Sequence, residues 1–143
     1  MGRREAREAV FCLLFETEFH KDRSPEEIYE LAFQTRDLDL PENARQVSYI
    51  KSTYLGVQEK LEELDALISE HAKGWRADRI APVSRNLLRL CIYEMKYSTD
   101  VPAAAAIDEA VELSKKFDEE KAKAFVNGIL NSVKLALEAK EEA

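Results

Sequence analysis

Three arginines open this chain, and aromatic residues follow them at helical spacing. Arg3, Arg4 and Arg7 could hold the phosphates of a nucleic acid, because one guanidinium group can donate two hydrogen bonds to the same phosphate. Aromatic rings could stack on unpaired bases. The candidates for stacking are Phe11, Phe15 and Phe125. Cations beside such rings are typical of a surface that holds a single strand.

Each of these residues also has a purely structural interpretation. The arginines could be a solvated chain end that pairs with Glu5 and Glu8. Phenylalanines at helical spacing are core residues by default. A group of lysines could be a solvated helix face, with pairs such as Glu112 and Lys116; the group is Lys115, Lys116, Lys121 and Lys123. Spacing alone leaves the choice open.

Catalytic and metal-binding patterns are missing from the sequence. Cys12 and Cys91 are far apart and lack CxxC spacing, which favours buried free thiols. His20 and His71 have no neighbour in sequence that would make a ligand set or a catalytic triad. The four glycines are scattered and form no phosphate-binding loop. We therefore expect no enzymatic activity, no cofactor and no metal.

Helical periodicity predicts the elements that carry these residues. Residues 3–19 have one broad apolar face, which predicts a first helix packed on others. Ser24, Pro25 and Glu27 form an N-terminal capping pattern for a second helix that ends near Thr35. Residues 41–71 are predicted to form one long helix with an apolar seam at spacings of three and four. The seam consists of Val47, Ile50, Tyr54, Val57, Leu61, Leu64 and Ile68.

The second half of the chain is predicted to be helical as well. Gly74 and residues 75–79 indicate a hinge between two halves, and a fourth helix follows over residues 82–97. Asp100 is predicted to cap a fifth helix and Asp118 a last one. The fold class predicted is an all-α, compact bundle of six or seven helices in a single domain, residues 1–143, with subdomains of about 1–74 and 75–143.

Composition agrees with the all-α class, and charge bears on whether the partner is a nucleic acid. The 143 residues include only four Gly and four Pro, and no apolar run is long enough to cross a membrane, so we expect a cytoplasmic protein. The net charge of −7 argues against a nucleic acid, but the charge is segregated along the chain. Residues 26–70 hold 4 basic and 11 acidic groups, whereas residues 71–99 hold 6 basic and 2 acidic groups. The local field decides which ligand is attracted.

Three motifs together resemble the NusB family of bacterial transcription antitermination factors. They are the arginine-rich start, the segment VSRNLLRL over residues 83–90, and FVNG over residues 125–128. The resemblance is clearest from Trp75 to Leu130. It implies a NusB-like fold of two three-helix halves without enzymatic activity. It also implies that the protein, with the small-subunit ribosomal protein NusE, holds single-stranded boxA RNA, so that the transcription elongation complex reads through terminators, particularly in ribosomal RNA operons.

The resemblance also implies roles for individual residues. RNA-binding positions of the family match Arg3, Arg4, Arg7, Phe15, Lys121 and Phe125. His71 and Ser84 match the region that binds the protein partner, where relatives often carry a tyrosine and an acidic residue. Ala124 stands where a lysine is common, which removes one phosphate contact. Asn127 is interpreted as bonding locally, and Gly128 as letting another helix come close.

Two alternatives remain at this stage. One is a helical protein-protein scaffold or homodimer without RNA specificity, with the leucine and valine seams extended across an interface. The other is the NusB-like domain of RNA methyltransferases, of which this chain could be only the accessory part. A role for Arg85 and Arg89, one turn apart in the 83–90 motif, stays open between ligand binding and pairing with carboxylates.

Overall fold

Helices are the only regular elements in residues 2–35, 44–98 and 100–142, the part of the chain that this computed structural model describes. The α-helices are α1 (Arg3–Thr17), α2 (Pro25–Thr35), α3 (Ala44–Glu59), α4 (Leu61–His71), α5 (Pro82–Tyr97), α6 (Ala103–Phe117) and α7 (Glu120–Glu142). A short 3-10 turn, Ala77–Arg79, precedes α5. The predicted all-α class with six or seven helices is confirmed, and the described ranges contain seven. None of the helices described combines the length and apolarity needed to span a membrane.

The chain divides into two compact units, Met1–Glu59 and Lys60–Ala143. The first unit contains three helices, α1 to α3, and the second contains four, α4 to α7, with the 3-10 turn. The division therefore lies at the end of α3, whereas the sequence suggested a hinge near Gly74. That segment lies within the second unit, where the 3-10 turn packs on α4.

The prediction of one long helix over residues 41–71 is wrong, because this segment contains two helices, α3 and α4. At Lys60 the backbone turns to φ −99° and ψ 14°, so α3 ends at Glu59 and α4 begins at Leu61. The apolar spacing runs through this break without a miss, and no Pro or Gly marks it, so periodicity could not reveal it. The predicted start at Pro41 lies outside the described residues.

The first unit is built around α1, which packs on α3 and more lightly on α2. Its core joins aliphatic residues of α1 to the apolar seam of α3; the members are Ala6, Val10, Leu13, Leu14, Ile50, Tyr54 and Val57. The Thr17 hydroxyl donates to the carbonyl of Leu13. The Tyr54 hydroxyl lies 2.6 Å from the Thr17 hydroxyl, within hydrogen-bond distance. This hydrogen bond satisfies the polar end of a fully buried ring. Burial also raises the pKa of Tyr54.

The second unit is centred on α5, which contacts α4, α6 and α7. The buried residues are supplied by all four helices, and they include Leu64, Ile68, Leu87, Leu88, Ile92, Ala106, Ala110, Val126, Leu130 and Val133. Alanines on α6 face this core, and small side chains allow helix axes to approach closely. Cys91 is buried in α5 and Cys12 is half-buried in α1, and both are free thiols.

One of the three predicted helix caps is confirmed. The Ser24 hydroxyl accepts a hydrogen bond from the backbone N–H of Glu27 at 3.2 Å, as the capping pattern predicted. The N-cap residue of α6 is Pro102 and not Asp100, and the Asp100 carboxylate accepts a hydrogen bond from the Ser98 hydroxyl. Asp118 ends α6, and α7 begins two residues after it, at Glu120. Its carboxylate binds the N–H of Glu119 and the hydroxyl of Ser84.

Candidate nucleic-acid interface

The three arginines lie in the first two turns of α1, and the structure divides them. Arg4 is exposed, Arg3 is half-buried, and Arg7 is only 6% exposed. The guanidinium carbons of Arg3 and Arg7 lie 3.9 Å and 5.9 Å from the ring centroid of Tyr49, on α3. Residues i and i+4 share a helix face, and here that face is turned toward α3. The sequence predicts the same phosphate-binding role for all three arginines, but Arg7 is packed within the unit.

The start of α1 is fixed by a hydrogen bond from its N-cap residue to a side chain in the first turn. The backbone N–H of Gly2 donates to the Glu5 carboxylate at 3.0 Å. Hydrogen bonds from the backbone N–H groups of Glu5 and Gly2 lower the pKa of Glu5. The carboxylate is therefore engaged by the helix terminus, where the macrodipole favours an anion. Arg3 and Arg4 are cations at the same terminus, where the dipole disfavours them.

Aromatic rings run along α1 from the core to the surface. Phe11 is 2% exposed and belongs to the core, so it is not a stacking residue. Phe15 is half-buried and lies 5.1 Å, ring centroid to centroid, from Phe19, which is 62% exposed. Arg4 and Phe15 are three helical turns apart, so they lie on the same side of α1. The first unit thus presents a cation and one accessible ring on α1, with a second ring, Phe19, two residues after the helix ends.

In the second unit, α7 carries the FVNG motif and the two remaining candidates. Lys121 is exposed in the first turn, and Phe125 is half-buried one turn later. The Asn127 side chain accepts a hydrogen bond from Asn131 at 3.2 Å, so the prediction of local bonding is confirmed. The prediction for Gly128 is wrong: the residue is exposed, and beyond its chain neighbours and the local backbone of α7 no described atom lies within 4 Å of where a Cβ would stand.

The two residues matched to the protein partner both make contacts inside the second unit. The hydroxyl of Ser84, which is 3% exposed, donates to the carboxylate of Asp118 at 2.5 Å. His71 is half-buried, and its Nδ1 lies 2.7 Å from the hydroxyl of Ser132 on α7. Ser84 thus ties α5 to the end of α6, and His71 ties α4 to α7. Their role toward a partner stays a prediction.

Arg85 and Arg89 make structural contacts in this unit. Arg89 forms a two-pronged ion pair with Asp65 of α4, at 2.7 and 2.8 Å, and donates to the amide oxygen of Asn86. Arg85 donates to the carbonyls of Ala77 and Ile80, which belong to the 3-10 turn and the residue after it. Both arginines are buried. The motif over residues 83–90 therefore anchors α4 and the turn to α5.

Comparison with known proteins decides the family. A model described as the NusB family matches residues 4–134. The chain belongs to the NusB family. The transcription antitermination protein NusB of Acetivibrio thermocellus is 42% identical over 133 residues, which is 93% of this chain and 88% of that protein. The resemblance seen in the three motifs is confirmed.

Solved structures of NusB proteins match this chain along nearly its whole length. The structure of T. maritima NusB has a TM-score of 0.85 at 36% identity, covering 94% of this chain and 91% of that one. A NusB chain in a crystal structure of antitermination factors NusB and NusE with double-stranded RNA has a TM-score of 0.81 at 28% identity, covering 94% and 96%. The all-α architecture predicted from the sequence is the one these NusB structures share.

Three residues of interest were not selected by sequence reasoning. Tyr49 lay within the predicted long helix and outside its seam, although its ring is the platform for Arg3 and Arg7. Phe19 continues the spacing of four that links Phe11 and Phe15, and that pattern could have found it. Trp75 was included only in a predicted hinge, although a lone tryptophan among cations is a recognisable signal.

Proposed function

We propose that this NusB-family protein is a transcription antitermination factor that holds boxA RNA together with a NusE-type small-subunit ribosomal protein. The assembly acts on the transcription elongation complex and supports read-through, particularly of ribosomal RNA operons. The protein works in the cytoplasm as a binding factor and not as an enzyme. Family membership supports this proposal, and a single structural observation carries it: the exposed Arg4 and the half-buried Phe15 lie on one side of α1, and the exposed ring of Phe19, just after the helix ends, contacts Phe15.

The first turn of α1 is well suited to a phosphate. Arg3 and Arg4 stand at the positive end of the helix dipole, an arrangement that costs stability in the free protein and favours an anionic ligand. Arg4 supplies an exposed guanidinium, and Arg3 reaches the same terminus from above the Tyr49 ring. Arg7 supports both by filling the space beside Tyr49. We expect Arg3 and Arg4 to contact phosphate and Arg7 to act mainly through the fold.

The rings of Phe15 and Phe19 supply the second part of the contact. A base stacked on an aromatic ring contributes about 1–3 kcal/mol, as judged by alanine substitution. Stacking requires an unpaired base, so this mechanism favours single-stranded RNA over a duplex. Lys121 and Phe125 offer a cation and a ring on α7 of the second unit, one turn apart. We propose that they make a further contact of the same kind.

The protein partner is proposed to act by coupling. Few phosphate contacts give a modest affinity, with a salt slope of about 0.7 per neutralised phosphate on a single strand. A ribosomal protein that touches both this chain and the RNA would raise the affinity of each for the other. His71 and Ser84 are the proposed partner-side positions. Because both are engaged within the second unit, we expect them to act by shaping the surface around them.

A binding titration tests the proposal. Fluorescence anisotropy of labelled boxA RNA is measured with and without the NusE-type protein, against a scrambled strand and a duplex of the same sequence. We expect boxA RNA to bind more tightly than either competitor, and the partner to strengthen this binding. Arg4→Ala should weaken it, whereas Lys21→Ala, which removes an exposed cation beyond the other end of α1, should not.

Two results would refute the proposal. Equal affinity for boxA and scrambled RNA, both with and without the partner, would remove the specific function. Light scattering that showed a stable homodimer with no response to RNA would instead support a helical scaffold. A preference for the duplex would contradict the stacking mechanism and leave the phosphate contacts.

A further inference from the structure

An exposed tryptophan stands in the segment between α4 and α5. Trp75 is 56% exposed, although tryptophan is usually among the most buried side chains by area. It lies in residues 73–79, named here the Trp75 loop, which also contains Lys73, Arg76 and Arg79. All three cations are exposed. The Trp75 ring therefore contributes little to the core of the unit and is available to a ligand.

The backbone of the Trp75 loop is held in place by hydrogen bonds to α4 and α5. Lys73 and Gly74 both have positive φ, 45° and 96°, and the strain at Lys73 is kept because the residues that follow are held in place. The N–H of Ala77 donates to the Ser69 hydroxyl at 2.9 Å, and Arg85 binds the carbonyls of Ala77 and Ile80. Ala77 and Ile80 are buried, whereas Trp75 between α4 and this anchor is not. The fold fixes the loop and leaves its ring outside.

Tertiary structure also concentrates the basic charge of residues 71–99 on this loop. Of the six cations there, Arg85 and Arg89 are buried, and Lys96 pairs with Glu63 at 3.3 Å. The remaining three are those of the Trp75 loop. One carboxylate, Asp78, lies 3.4 Å from Arg76, so three cations against one anion leave a charge of +2 on seven residues. In a protein of net charge −7 this is a local positive field.

We propose that the Trp75 loop is a second contact site for single-stranded RNA, where a base stacks on Trp75 and Lys73 and Arg79 hold the neighbouring phosphates. This inference rests on the proposed function and adds a site to it. Basic charge favours a polyanion over an apolar protein surface, and an exposed ring favours unpaired bases over a duplex. Arg76, engaged with Asp78, contributes to the field more than to a direct contact.

Trp75 is the only tryptophan in the chain, so its emission reports on this loop alone. The probe is boxA RNA extended by unpaired adenylates on both sides, titrated into the full-length protein. Tryptophan emission and RNA anisotropy are followed in the same samples. Stacking should quench the emission along the same curve as the anisotropy. Trp75→Ala should weaken binding about tenfold, equal to about 1.4 kcal/mol, and Trp75→Phe should restore most of it.

Further variants separate charge from folding. Changing Lys73 and Arg79 to Gln should reduce the slope of log affinity against log salt by about 1.4, or about 0.7 for each phosphate. Lys51→Gln, an exposed cation on α3 of the first unit, is the matched control. Circular dichroism checks that each variant melts like the parent protein. Should Trp75→Ala fail to fold, the emission titration of the unaltered chain still decides.

The outcomes distinguish this inference from the function on which it rests. If anisotropy shows binding while the emission is unchanged and Trp75→Ala binds as tightly, the loop is not an RNA site and the proposed function stands. If the unaltered protein binds no RNA at all, both proposals fail. If Trp75→Ala weakens only the NusE-type partner, the loop is a protein contact and the inference is overturned.

Discussion

Single replacement of the α1 arginines should separate a residue of the fold from a residue of the interface. Arg7 is buried beside the Tyr49 ring, whereas Arg4 is exposed on the same two turns of helix. Arg7→Ala should therefore lower the stability of the protein, and Arg4→Ala should lower its affinity for RNA. The two variants make the same chemical change and are each other's control.

The magnitude follows from what each variant removes. Arg7→Ala deletes two buried methylenes, worth about 0.8 kcal/mol each, and a cation–π contact worth about 0.5–1 kcal/mol. The free energy of unfolding should fall by about 2 kcal/mol, which lowers the Tm by roughly 5–10 °C. Arg4→Ala changes an exposed side chain, so its effect on stability should stay within about 0.5 kcal/mol. Its salt slope in RNA binding should fall by about 0.7.

The assays are urea unfolding followed by circular dichroism, and anisotropy titrations at several salt concentrations. Tyr49→Leu, alone and combined with Arg7→Ala, measures the coupling between the cation and the ring in a double-mutant cycle. The reasoning is refuted if Arg7→Ala leaves the unfolding midpoint unchanged and abolishes RNA binding. It is equally refuted if Arg4→Ala destabilises the protein as much as Arg7→Ala does.

Three further predictions concern the second unit. Asp65→Ala should cost about 3 kcal/mol in urea unfolding, because it leaves the buried guanidinium of Arg89 without its carboxylate; a loss below about 1 kcal/mol would show that Arg89 finds another partner. The Tyr97 hydroxyl donates to Glu63, which raises the pKa of Tyr97 to about 12 and lowers that of Glu63. Because the pKa of Glu63 is lowered, the pair should stabilise the unit fully above the ordinary pKa of a carboxyl, and this stabilisation should be lost as the pH falls through the lowered pKa of Glu63. Because the pKa of Tyr97 is raised, the stabilisation should be complete below the ordinary pKa of a phenol and should be lost as the pH rises through about 12. Glu63→Gln should return the phenolate absorbance of Tyr97 to an ordinary titration, and an unchanged curve would assign the shift to another cause. Gly128→Ala should stabilise α7 by about 0.5–1 kcal/mol in thermal unfolding, because a Cβ there enters open space, and a destabilised variant would contradict this geometry.

Much of the local structure could be read from the sequence, because its signals are themselves local. The capping pattern at Ser24 marks where α2 begins, and proline at position 82 marks α5. The motifs at residues 83–90 and 125–128 identify the family by their residues alone. The break at Lys60 carries no such signal, since an apolar seam has the same spacing on both sides of it.

The candidate site depended much more on tertiary contacts. Three N-terminal arginines look alike in sequence, and only the packing of α1 on α3 decides that Arg7 is buried while Arg4 meets solvent. Arg85 and Arg89 likewise became structural once a turn and Asp65 were brought to them.

The sequence by itself determined an all-helical NusB-family chain, because helix periodicity, caps and family motifs depend on residues close together along the chain. Which cations and rings remain available to a ligand depends on neighbours that are distant in sequence, and only the tertiary structure supplies those. The same six basic groups of residues 71–99 therefore became two buried anchors, one surface ion pair and an exposed triad around Trp75.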